Sequence, residues 1–168
     1  MLFRSFIYFA PNISGGIWRV PESGGTATQV SKVDPSKGEV SHRWPHHVRG
    51  TDQLLFAAWT GPGDDETRVA LQSTVRADHR WLVQGFRPRY DADEGLLTYR
   101  YGKQLLTVPW TPSRPEIGDV APVAASEQPT DGGRNEGNGN YAFSEDGTLV
   151  YLRTDTPLSD TLVSWIDR

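Results

Sequence analysis

Cysteine is absent from the 168 residues. That excludes disulfides, thiolate metal sites and a thiol nucleophile, and it leaves the redox compartment open. Long apolar runs are also missing, and no window approaches the length of a membrane span. The first apolar run, "MLFRSFIYFAPNIS", is broken at Ser5 and stopped at Pro11, so it reads as a strand over Phe6 to Ala10 rather than a secretory leader. Basic residues are not grouped. The 17 Lys and Arg are scattered through a chain of net charge −4, which argues against a nucleic-acid groove and against a polybasic membrane patch. Helical periodicity is nearly absent. The best candidate, "DETRVALQSTVRADHR", alternates at Val69, Leu71, Ser73 and Val75, which is the period of a strand.

What the chain has instead is punctuation and aromatics: 17 Gly, 12 Pro and six Trp. That is the composition of an all-β protein of short strands. Fourteen strand-like runs follow one another, separated by turn signals such as "ESGG" and "DADEG". They repeat. "SFIYFAP", "RGTDQLLFAA", "ADEGLLTYR" and "EDGTLVYL" each carry an apolar run ending in an aromatic, at Tyr8, Phe56, Tyr99 and Tyr151, in steps of 48, 43 and 52 residues. The last step is lengthened by "SEQPTDGGRNEGNGN", too polar and Gly-rich to pack. "WRVPESGG" and "LTVPWTPS" form a second series two steps apart. Units of this length with four short strands are the signature of β-propeller blades, small sheets that cover each other's faces.

The phrases "GGIWRVPESGGTATQVS", "GEVSHRWPHHVRGTDQLLFAAWT", "YGKQLLTVPW" and "FSEDGTLVYL…TLVSWIDR" resemble TolB-like, WD-type propeller repeats. They are most similar to the propellers of bacterial receptor-type serine/threonine kinases. The kinase motifs themselves are missing: there is no Gly-rich loop, H-R-D or D-F-G. The resemblance implies an all-β partial β-propeller of three to four four-stranded antiparallel blades in a single domain. The blades would fall near residues 1–36, 37–84, 85–127 and 138–168, with a flexible loop over 126–140. By the family's pattern the chain opens at the second strand of a blade and stops at the third strand of another. The resemblance also implies binding rather than chemistry, and a periplasmic or extracellular setting. Open terminal blades leave edges unpaired, so a homodimer or higher oligomer is expected.

Candidate site residues were weighed against plainer roles. "SHRWPHHV" places His42, Trp44 and His46 on one strand face and His47 on the other. His42 and His46 reach one metal only with a third ligand from another strand, and Pro45 argues against a helix. The plainer reading is an inner strand lining a channel, with neither metal nor cofactor. "FRPRYD" holds the equivalent place. The expected binding surface is therefore His42, Arg43, His46, Arg87 and Arg89, with Trp59 beside the acidic loop "GPGDDE". The plainer role of these arginines is pairing with turn carboxylates. Asp64, Asp65 and Glu66 read as a solvated hairpin tip, and "YDADEG" as a blade turn rather than a calcium loop. No G-x-S-x-G occurs, and the Gly-rich stretches are turns with no helix after them. The expected function is a non-enzymatic module for a protein or peptide ligand. The alternatives are a propeller-type hydrolase acting on sugars or peptides, and a fragment without independent function.

Overall fold

A computed structural model describes residues 5–61, 66–102, 104–114, 116–117, 123–126, 141–144, 148–152 and 163–166. All fourteen strand-like runs form strands, and the one helical turn among the described residues is a short 3-10 segment at Pro35–Lys37. The strands are β1 (Phe6–Phe9), β2 (Trp18–Pro21), β3 (Thr28–Gln29), β4 (Ser41–His47), β5 (Gln53–Trp59), β6 (Thr67–Ser73) and β7 (His79–Gln84). They continue as β8 (Phe86–Asp91), β9 (Leu96–Tyr101), β10 (Gln104–Pro109), β11 (Val123–Ser126), β12 (Tyr141–Phe143), β13 (Leu149–Leu152) and β14 (Val163–Ile166). They make four antiparallel meanders, β1-β2-β3, β4-β5-β6-β7, β8-β9-β10-β11 and β12-β13-β14. Each sheet is blade-like, with strands added in chain order. Of the loop expected over 126–140, Ser126 ends β11, while residues 127–140 and the Asp146–Gly147 turn lie outside the described residues.

The second sheet shows why its strands read as unbroken apolar runs. On β5, Leu54, Phe56 and Ala58 pack toward the first sheet with Ile17 and Ala70. Leu55 packs the other way, with Val69, Leu71, Leu97, Tyr99, Val108 and Trp110. A sheet covered on both faces needs apolar residues at successive positions. Burying each large side chain contributes about 1.5–3 kcal/mol. Phe56 and Tyr99, one repeat apart, each face the sheet that precedes their own. Val75 departs from the alternation read in the sequence: it lies beyond β6 and is exposed.

Close approach between the segment that leads into β2 and the one that leaves β3 depends on Gly16. A Cβ there would sit 1.8 Å from the Ser31 carbonyl oxygen.

Candidate functional site

The first strands of the second and third sheets carry the same irregularity. Both β4 and β8 gain one residue against their partners, between Arg43 and His46 and between Phe86 and Arg89. The residue before proline is the odd one in each: Trp44 has φ 50° and Arg87 has φ 52°. Side chains with a Cβ rarely adopt such angles, and proline in a strand is confined to edges and bulges. "RWPH" and "FRPR" are thus one bulge in two copies.

The bulge corrects the sequence reading of "SHRWPHH". An extra residue reverses the alternation beyond it. His42 and His46 do not share a face. His42 pairs opposite Ala58, and its ring lies 4.5 Å from Phe56, on the side of the first sheet. His47 joins it on that side and stacks on Tyr8 at 5.2 Å with the rings nearly parallel. His46 turns to the third sheet, where Nε2 meets the Tyr90 carbonyl oxygen at 3.2 Å. Burial, reinforced by the nearby Arg89 charge, pushes its pKa down from 6.5 to about 4, so it donates as a neutral imidazole.

Each bulge reaches the sheet after it. The Trp44 ring lies 5.8 Å from Phe86, which opens β8. One repeat later, Arg87 lies 4.8 Å over the ring of Tyr141, which opens β12. Tyr141 Oη donates back to the Arg87 carbonyl at 3.1 Å, and burial raises its pKa to about 12. His46 and Arg89, each following the proline, meet backbone carbonyls of Tyr90 and Ser144 in the same way. Of the expected surface residues, His46, Arg87 and Arg89 therefore join neighbouring sheets.

Arg43 and Trp59 form a different group. Arg43 Nε donates to Ser41 Oγ at 2.9 Å, and its Nη2 donates to the Ile13 carbonyl at 2.7 Å. The guanidinium lies 4.3 Å over the Trp59 ring, and Trp44 lies 6.1 Å from Trp59. All three side chains are half-buried. They form an arginine–indole ledge where β5 turns toward β6. That hairpin is closed by Thr60 N–H donating to the Glu66 carbonyl at 2.9 Å. Asp64 and Asp65 lie outside the described residues.

His42 belongs to a buried polar group whose other members were not singled out in the sequence. Glu39 enters just before β4, and its carboxylate accepts four hydrogen bonds. Oε1 takes His79 Nε2 at 2.7 Å and Trp81 Nε1 at 2.8 Å. Oε2 takes His42 Nε2 at 3.0 Å and Asp34 N–H at 2.8 Å. The other nitrogen of His42, Nδ1, meets Ser31 Oγ at 2.7 Å, and that oxygen also accepts Ile17 N–H at 2.8 Å. Ser31 and His42 are fully buried, and Glu39 is 4% exposed. Burial raises the Glu39 pKa, but the bonds from His79, His42, Asp34 and Trp81 outweigh it and hold the group at about 2. Burial lowers the His42 pKa, so its Nε2–H donates to Glu39 while Nδ1 accepts from Ser31.

Two chemical readings of this group differ sharply. The order Ser31, His42, Glu39 has the composition of a nucleophilic triad. Its serine is sealed in the protein, however, and no substrate reaches it. The donor set Glu39, His42 and His79 is that of a cation site, with all ligand atoms within 4.8 Å of one another. An open cleft of about 310 Å³ lies beside His79, lined also by Gln53, Gln72, Asp78 and Arg80. "YDADEG" is a turn: Asp91 Oδ1 accepts the N–H groups of Asp93 and Glu94, and Gly95 has φ 66°. No family model matches the chain, and no curated protein shows significant sequence similarity to it.

Proposed function

We propose that the chain is a non-enzymatic binding module of β-propeller type that takes a protein or peptide ligand. Support for the propeller reading comes from the sheets in chain order, the repeated bulge and the bulge-to-next-sheet contacts. The observation that carries the binding reading is the ledge of Arg43, Trp44 and Trp59, with a guanidinium 4.3 Å over a half-buried indole. Arginine and tryptophan are enriched in binding hot spots, and the indole offers a large contact area with few rotamers to immobilise. The expected sites His46, Arg87 and Arg89 instead bridge neighbouring sheets. Among the described residues no observation favours the hydrolase alternative, since the Ser31–His42–Glu39 chain is closed to solvent.

Self-association is the second part of the proposal. Among the described residues β1 pairs with β2 alone, and Ile7 on it is 54% exposed. An open strand edge with an apolar side chain recruits another strand. The test of the binding part is selection of peptides from a displayed library on the wild-type chain, followed by titration on Trp59→Ala. Loss of a hot-spot indole lowers affinity by roughly 30-fold or more. Selected peptides that bind the variant as tightly as the wild type refute the ledge.

A further inference from the structure

We infer that Glu39, His42 and His79 bind one zinc-type divalent cation, a site independent of the ledge and of the binding role built on it. The three ligands come from separate segments: the turn before β4, β4 itself and the start of β7. Two imidazoles and one carboxylate suit zinc and its neighbours in the transition series, while calcium and magnesium favour all-oxygen sets.

The spacing fits. The imidazole nitrogens lie 2.7 and 3.0 Å from the carboxylate oxygens. Ligands held about 2.0–2.2 Å from a tetrahedral ion are roughly 3.3 Å apart. The two nitrogens meet different carboxylate oxygens, Oε1 and Oε2, and the ligand atoms lie within 4.8 Å of one another, so the side chains draw together to form the coordination shell.

The supporting partners are in place as well. Metal-binding imidazoles use their second nitrogen to hold a fixed orientation, and ligating carboxylates are themselves hydrogen-bonded. Ser31 Oγ sits 2.7 Å from His42 Nδ1. Asp34 N–H and the Trp81 indole N–H hold Glu39 from outside the shell. For His42, binding requires the imidazole proton to move from Nε2 to Nδ1, the nitrogen beside Ser31 Oγ. No net proton is lost at a neutral imidazole, and the carboxylate stays ionised. The ion reaches the site through the cleft that His79 lines, and a water there completes the shell.

The purified full chain, stripped with a chelator, is dialysed at neutral pH against buffered zinc, and bound metal is measured by atomic emission. One equivalent with a raised melting temperature is expected. His79→Gln keeps an N–H for Glu39 but removes a ligand, and should bind at least about tenfold more weakly. His47→Gln, which changes a histidine outside the cluster, should bind like the wild type. A wild type that takes up no stoichiometric zinc, or a His79→Gln chain that binds equally well, overturns the site. If His79→Gln does not fold, cobalt substitution of the wild type decides the question. An intense visible band of tetrahedral cobalt supports the site, and a weak spectrum like that of the hydrated ion overturns it.

Discussion

Acidification should weaken the fold through His46, by an amount the structure sets. The unfolded chain protonates this group near its ordinary 6.5, while the folded chain resists until about 4. Between those values the unfolded state binds more protons, so stability falls as pH falls. Above the window the full contribution is present, and below it both states are charged and the slope ends. The loss from this residue is about 1.4 kcal/mol at pH 5.5 and about 2.5 kcal/mol at pH 4.5, approaching about 3 kcal/mol at the lower limit. His46→Gln isolates it, since glutamine keeps an N–H for the Tyr90 carbonyl and does not titrate. His42, also buried with a lowered pKa, contributes in the same direction in both proteins and cancels in the difference. Urea unfolding followed by tryptophan fluorescence from pH 7.5 to 4.5 gives the two stability curves. The wild type should lose about 2.5 kcal/mol more than the variant over that range. Parallel curves refute the assignment of a buried, neutral imidazole at position 46.

Glu39→Ala should destabilise the chain by roughly 4 kcal/mol or more, because it strands the buried donors of His42 and His79 and removes the acceptor of Trp81 and Asp34; urea midpoints measure it. Gly16→Ala forces a methyl into the Ser31 carbonyl and should cost about 3 kcal/mol, read as a lowered melting temperature in calorimetry. Ile7→Lys places a charge on the open edge of β1 and should shift sedimentation toward the monomer; an unchanged oligomer locates the contact elsewhere.

The fourteen strands were legible because alternation and turn residues are local signals. The face assignments were not, and Trp44–Pro45 shows why. Proline inside a strand run marks a bulge, and that signal was available. Read without the bulge, every residue after Arg43 lands on the wrong face, and His46 takes the place that His47 holds. The polar cluster was less accessible still. His42 and Glu39 are three residues apart, but His79 and Trp81 come from a strand some 40 residues later. Nothing local to "KGEV" or "ADHRW" announces that they meet, since they come from the two opposite edges of one sheet, β4 and β7. Arg43 and Trp59 were legible as separate candidates, one in the polar strand "SHRWPHH" and one beside the acidic loop, but that they meet follows only from the pairing of Ser41 opposite Trp59.

The bulge contacts have a direction. Trp44 projects onto the residue that opens the next sheet, and Arg87 repeats the act one unit on. The second and third units thus each carry a plug that meets the sheet after it, so duplication of such a unit adds a fitted neighbour without redesigning an existing contact. A joint of this kind is heterologous rather than self-complementary, and its geometry alone decides between two products. If successive rotations sum to a full turn, units in one chain or in several close on themselves and growth stops. If they do not, the same plug and socket build an open helical filament.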